Sequence, residues 1–147
     1  MKIIKGKGLT RGTAKGKAMV TKEPMNFTAA ITKPQNMLIP GRWSQINDRH
    51  HELNKQLMKN KIFVYPATIG STGTGLMILE LIFRNQTPAG IIVENADTLM
   101  VSGPILADVW FGKIVPVVEY SGSDLYDVIK NGDQIEMDGV SGEIKIS

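Results

Sequence analysis

Lys61-Ile62-Phe63-Val64-Tyr65-Pro66 opens the stretch that decides the fold, because the same theme returns in Gly90-Ile91-Ile92-Val93-Glu94. Both are short, continuous apolar runs punctuated by Pro or Gly, the pattern of strands buried on both faces. Between them, Gly75 to Arg84 is an apolar segment of helical length with no proline. Two buried strands joined through a helix form a βαβ unit, whose strands are parallel and whose crossover is right-handed.

Downstream, a second helix is predicted around Pro104 to Phe111, with Pro104 in its first turn, followed by a strand over Ile114-Val115-Pro116-Val117-Val118. Ser121 and Asp124 predict a capping box for a helix from Leu125 to Lys130 that Gly132 ends. Gln134 to Met137 and Glu143 to Ile146 alternate in polarity across Asp138-Gly139-Val140-Ser141-Gly142, which predicts a hairpin. Upstream, two strands are predicted around Lys2 to Lys7 and Ala14 to Val20, separated by the turn-like Gly8-Leu9-Thr10-Arg11-Gly12.

Between Glu23 and Asn60 periodicity is lost, and Pro24, Pro34, Pro40 and Gly41 punctuate the chain; Asp48 to Leu57 reads as one short helix or a loop. An irregular segment of this length is usually functional or docked on something, and Met25, Phe27, Met37 and Trp43 predict an exposed docking face beside the Gly70 to Gly75 turn. The expected architecture is one α/β domain over residues 1–147, with a parallel βαβ core and antiparallel edge ribbons.

Composition narrows the function. The 147 residues are 42% hydrophobic and 21% charged, an ordinary single-domain balance that excludes collagen-like, coiled-coil and disordered classes. There is no cysteine, which excludes disulfides, thiolate nucleophiles and an iron–sulfur cluster ligated by this chain alone. With only His50 and His51, a His-rich zinc site has too few ligands, and both are expected as exposed loop imidazoles. No apolar run approaches the roughly 18 residues of a membrane helix, and the first residues lack a signal-like apolar stretch, so a cytoplasmic protein without membrane contact is expected.

The net charge of +3 hides a dipole: residues 1–60 carry 12 Lys and Arg against 3 acids, and residues 61–147 carry 5 against 11. The N-terminal cations interleave with β-formers and not with aromatics, so they read as the solvent face of an antiparallel ribbon and not as a nucleic-acid footprint.

Gly70-Ser71-Thr72-Gly73-Thr74-Gly75 falls between the first buried strand and its helix, the ligand position of open α/β sheets. Its glycines allow close backbone approach, and the helix-start N–H groups with three hydroxyls suit a carboxylate or phosphate. It is neither a Walker loop nor a dinucleotide fingerprint. A helix N-cap with flexible glycines accounts for the same residues. Neither His nor Lys adjoins Ser71, so its activation must come from the fold or a partner.

Taken together and in order, Gly12 to Val20, His51-Glu52-Leu53, Lys61 to Pro66, Gly70-Ser71-Thr72, Pro88 to Ile92, Gly103-Pro104-Ile105-Leu106-Ala107 and Ile114 to Val118 resemble the small subunit of aconitase X enzymes, over nearly the whole chain. The resemblance implies a swivelling β/β/α domain and a separate large subunit that carries most of the site and the iron or iron–sulfur centre. It implies a hydro-lyase that removes water from a small anionic hydroxy acid, cis-3-hydroxy-L-proline or 5-phosphomevalonate. The Met100 to Lys113 segment looks more like catabolic members and favours the former. By resemblance, Ser71 matches the serine proposed to act, as alkoxide, as the base that removes the proton beside the substrate carboxylate, and Gly70, Thr72, Gly73 and Thr74 are expected to bind substrate. Such a base needs a strongly lowered hydroxyl pKa. Ile69 stands where members commonly carry Arg, which removes a partner for an anion. That departure is the argument for a noncatalytic scaffold subunit. The ending Asn131 to Gly142 also resembles phosphohistidine domains of phosphotransfer enzymes, but that chemistry needs a histidine in the active turn, and His50 and His51 lie upstream of it.

Overall fold

The computed structural model describes residues 1–70 and 73–147. Its strands are β1 (Lys2–Lys5), β2 (Lys7–Thr10), β3 (Thr13–Val20), β4 (Ile62–Ala67), β5 (Gly90–Asn95), β6 (Val117–Glu119), β7 (Gln134–Asp138) and β8 (Glu143–Ile146). The helices are α1 (Phe27–Ile31), α2 (Pro34–Leu38), α3 (Thr74–Phe83), α4 (Thr98–Phe111) and α5 (Leu125–Val128). The βαβ unit expected from Lys61 to Glu94 is present as β4-α3-β5, with Ile62 opposite Gly90 and Val64 opposite Ile92 in a parallel ladder.

Successive side chains of these strands point to opposite faces and divide the interior into two cores. Ile62, Val64, Ile92 and Val118 pack with Ile135, Met137, Ile144 and Ile146 of the C-terminal hairpin and with α5. Phe63, Tyr65, Ile91, Val93 and Val117 pack with α1, α3 and α4. Burial on both faces explains why these strands are continuous apolar runs. Three layers result: an antiparallel sheet, a largely parallel sheet, and helices.

The strand order is β1-β8-β7-β3-β4-β5-β6-β2. β3 belongs to both sheets: Thr13 to Lys17 pair antiparallel with β7, and Ala18 to Val20 pair parallel with β4. β1 and β2 stand at opposite ends of this order, yet Gly6 alone separates them in sequence. The row of strands therefore curls until its ends meet. The Gly6 N–H donates to the Gly142 carbonyl at 2.8 Å, and the Gly139 N–H donates to the Gly12 carbonyl at 2.8 Å. A Cβ on residue 139 would lie 1.8 Å from the Thr10 carbonyl oxygen, so the hairpin turn can meet β2 only with glycine there.

Several expectations are corrected. The supposed turn from Gly8 to Gly12 contains most of β2, which pairs with β6, while β1 pairs with β8; the N-terminal strands form no ribbon of their own. α4 begins six residues before Pro104, because the Asp97 carboxylate caps it by accepting the Met100 N–H at 2.7 Å. Pro104 sits inside the helix, where it contributes no N–H to the ladder. The strand expected from Ile114 starts at Val117, since Pro116 cannot donate to a sheet. The Ser121–Asp124 box does not form: the Asp124 carboxylate accepts from the Tyr120 hydroxyl instead, at 2.8 Å.

The segment from Glu23 to Asn60 is irregular but packed. Met25 and Phe27, expected on an exposed face, are each 1% exposed in the helical core. Trp43 is half-buried beneath the Arg84 guanidinium, 4.0 Å above its ring, and of the four apolar residues only Met37 stays exposed. Buried amides organise the segment: Asn36 donates to the carbonyls of Arg42 and Gln45 at 2.9 and 2.7 Å and accepts from Asn47, and Gln45 donates to the Lys55 carbonyl at 3.1 Å. Asp48 to Leu57 is a series of turns, not a helix.

Two stability measurements check this account. Gly139→Ala forces a methyl into the closure and is expected to cost about 1–3 kcal/mol or more in denaturant unfolding. Asn36→Leu leaves buried carbonyls without a donor and is expected to cost about 1–3 kcal/mol. Wild-type midpoints for either variant would remove the corresponding role.

Candidate functional site

The C-terminal ends of β4, β5 and β6 face the same edge of the parallel sheet as the starts of α3 and α4. The chain leaves β4 under close control. Tyr65 is fully buried, and its hydroxyl shares a 2.8 Å hydrogen bond with Thr68 Oγ1. Burial pushes this phenol above its ordinary range, so it stays protonated and acts as a fixed hydrogen-bonding post. Met25 runs parallel to Thr68: its N–H donates to the Ala67 carbonyl and its carbonyl accepts from the Ile69 N–H, both at 3.0 Å.

Gly70 follows with φ +113°, a conformation that strains any residue with a side chain. A Cβ there would lie 2.8 Å from the Asn26 amide group. Asn26 is itself fixed, since its Oδ1 caps α1 by accepting the Ala29 N–H at 3.0 Å. Asn26 and Gly70 thus steer the chain into the turn. Ile69, 52% exposed, points no charge at the approach to it.

Of the expected site residues, Gly70 and Gly73 lie between β4 and α3, and Thr74 is the first residue of α3. Gly73 takes the N-cap position with helical φ and ψ, and Thr74 is buried in the first turn. Ser71 and Thr72 fall outside the described residues. α3 starts tight against α4, because a Cβ on Gly75 would be 2.4 Å from both the Leu99 carbonyl and Ser102 Oγ. Glycine at 75 therefore sets the spacing of the two helix starts.

Beside this junction is a cleft of about 440 Å³, lined by Leu9, Val101 and Ile105 with Lys7, Asp97 and Glu119. Ser102 also lines it and so lies between cleft and turn. Sequence reasoning missed the cleft, since its walls come from β2, β6 and α4 and no short motif spans them. Glu119 is held by the Ala96 N–H at 2.8 Å.

Other residues singled out earlier lie elsewhere. His50 is exposed, but His51 is buried, against expectation, and its Nδ1 accepts the Leu53 N–H at 3.1 Å. Asp108 forms a two-point pair with Arg11 at 2.8 and 2.9 Å, and this hydrogen bonding holds its carboxyl below the usual range. Lys15 pairs across strands with Glu136 at 2.9 Å. Among the described residues, no three His, Asp or Glu side chains converge as a metal site, and no helix is long and apolar enough to cross a membrane. With no cysteine in the sequence, the chain has no thiolate to ligate an iron–sulfur cluster.

A β/β/α domain closed through β3, with a glycine-rich turn at the edge of its parallel sheet, is the class this architecture defines. The aconitase X swivel domain family matches residues 3–146, and the chain belongs to that family. A relative from Methanocaldococcus jannaschii, named phosphomevalonate dehydratase small subunit, is 29% identical over 145 residues, covering 97% of this chain and 96% of its own. The protein of the same name from Thermococcus kodakarensis is 28% identical over 143 residues, covering 97% and 95%. The crystal structure of Thermococcus kodakaraensis aconitase X in its holo-form superposes with a TM-score of 0.82 at 26% identity, covering 100% of this chain and 99% of that one.

The approach to the turn is testable by a double-mutant cycle. Gly70→Ala is expected to destabilise the protein by about 1 kcal/mol or more, and the loss should shrink in an Asn26→Ala background, where the clashing amide is gone. Strict additivity would show that Asn26 does not steer the turn.

Proposed function

We propose that this chain is the small subunit of a two-subunit aconitase X-type dehydratase of the cytoplasm, with Ser71 as the base that abstracts the proton beside the substrate carboxylate. Membership of the aconitase X swivel-domain family carries the reading, and the position of the turn at the end of β4 supports it. The elimination transfers that proton to the Ser71 alkoxide, which becomes the neutral hydroxyl; the C–H electron pair becomes the new double bond, and hydroxide leaves the neighbouring carbon. This chain contributes the base and, through Gly70, Thr72, Gly73 and Thr74, donors for the carboxylate; N–H groups at a helix start lower the cost of negative charge there. The iron or iron–sulfur centre belongs to the larger subunit in this reading.

The names of the relatives support 5-phosphomevalonate as substrate. One observation favours the smaller cis-3-hydroxy-L-proline instead: Ile69 brings an apolar side chain, not a cation, to the approach of the turn. Dehydration assays of the reconstituted enzyme with the two acids separate these readings.

In the reconstituted enzyme, Ser71→Ala is expected to lower turnover by several orders of magnitude with substrate binding much less affected, because proton removal is felt in the transition state. Thr72→Ala should lose only about 0.5–1.5 kcal/mol, the worth of one hydrogen bond. The isolated chain should show no turnover. Near-normal turnover of the Ser71→Ala enzyme with a lowered melting temperature would make the serine a helix cap and place the base on the partner.

A further inference from the structure

α3 is apolar on two sides. Ile78, Leu81 and Ile82 are buried against the sheet, yet Leu76 and Phe83, on the opposite side, are 67% and 51% exposed. Leu76, Glu80 and Phe83 recur at helical spacing, so they form one stripe from the first turn of α3 to its last residue. At its far end the stripe meets α4. The Phe83 and Phe111 rings lie 5.1 Å apart, and Trp110, 61% exposed, follows with its ring 6.4 Å from that of Phe111. A groove of about 340 Å³ runs between them, and Val109, 73% exposed, extends the apolar surface along α4.

The surroundings are charged. Glu80 pairs with Arg84 at 2.6 Å, and Lys113 sits over the Phe83 ring at 5.4 Å while donating to the Phe83 carbonyl at 2.8 Å. An aromatic centre inside a charged rim is the anatomy of a protein interface, and Trp is the residue type most often found to dominate one. A helix apolar on both sides is covered on both sides in its complete assembly.

We infer that the α3–α4 outer face, centred on Phe83, Trp110 and Phe111, is where the large subunit docks. The inference rests on the two-subunit reading above and identifies the surface that reading leaves open. Continuity chooses the occupant: Leu76 is the residue after Gly75 and lines the groove that reaches Phe83 and Phe111, so a partner that completes the Gly70 to Gly75 turn meets the near end of this face. The Glu23 to Asn60 segment, first expected to dock, has spent Met25 and Phe27 on its own core.

The test is a binding titration of the full chain with the aconitase X large subunit encoded in the same genome, alongside thermal unfolding and the mass of the chain alone in solution. Trp110→Glu and Val109→Glu are expected to weaken the complex at least about 30-fold, a hot-spot loss, without lowering the melting temperature of the free chain. Val140→Glu, at the exposed tip of the C-terminal hairpin, should bind as wild type. Wild-type affinity for both α4 variants would overturn the inference and leave the two-subunit reading standing. No complex with the wild-type chain would overturn both. A wild-type homodimer that Trp110→Glu dissolves, with the large-subunit complex unaffected, would assign the face to a second copy and also overturn the inference.

Discussion

Gly6 is all the chain that separates β1 from β2, and those strands end opposite sides of an eight-stranded order. That constraint forces closure, and closure dictates the rest. The antiparallel hairpin of β7 and β8 must fold over one face of β4, β5 and β6, which removes that face from water; the helices must then cover the other. Both cores follow from one short connection, at about 25 cal/mol per Å² of apolar surface removed from water. The close approach of Gly139 to Thr10 is where the closure is tightest.

Closure also leaves one edge of the parallel sheet for chemistry. The C-terminal ends of its strands, with the starts of α3 and α4, bring irregular backbone and helix-start N–H groups together over a rigid base. The base is rigid because Tyr65 and Thr68 are joined inside the core and Met25 zips alongside them. The turn is thus carried by a scaffold whose left-handed residue, Gly70, precedes the proposed base and takes up that conformation without strain.

The sequence made the parallel core legible because Ile62 to Tyr65 and Ile91 to Val93 had to be apolar on both faces, a pattern no solvated strand shows. The turn was legible for the same reason: it lies where one such strand ends and an apolar helix begins. What lay hidden was non-local. Nothing near Gly8 announces that it belongs to a strand, since its partner β6 is about a hundred residues away and the ladder decides the matter. Pro104 resembled a helix start until the Asp97 cap, seven residues before it, prevailed. Met25 and Phe27 read as surface residues because a proline-punctuated segment gives no period, and only the buried amides of Asn36, Gln45 and Asn47 show that it folds onto the core. The 440 Å³ cleft, whose walls come from three distant parts of the chain, had no local signature at all.

In the proposed mechanism this chain brings a base to a substrate held mainly by another subunit. The most direct measurement is a structure of the assembled complex with a non-reacting substrate analogue. Ser71 Oγ is expected within roughly 3–3.5 Å of the carbon whose proton is lost, with the α3 start facing the analogue's carboxylate. An analogue seated away from the Gly70 to Gly75 turn, with a different side chain at the reacting carbon, would contradict it.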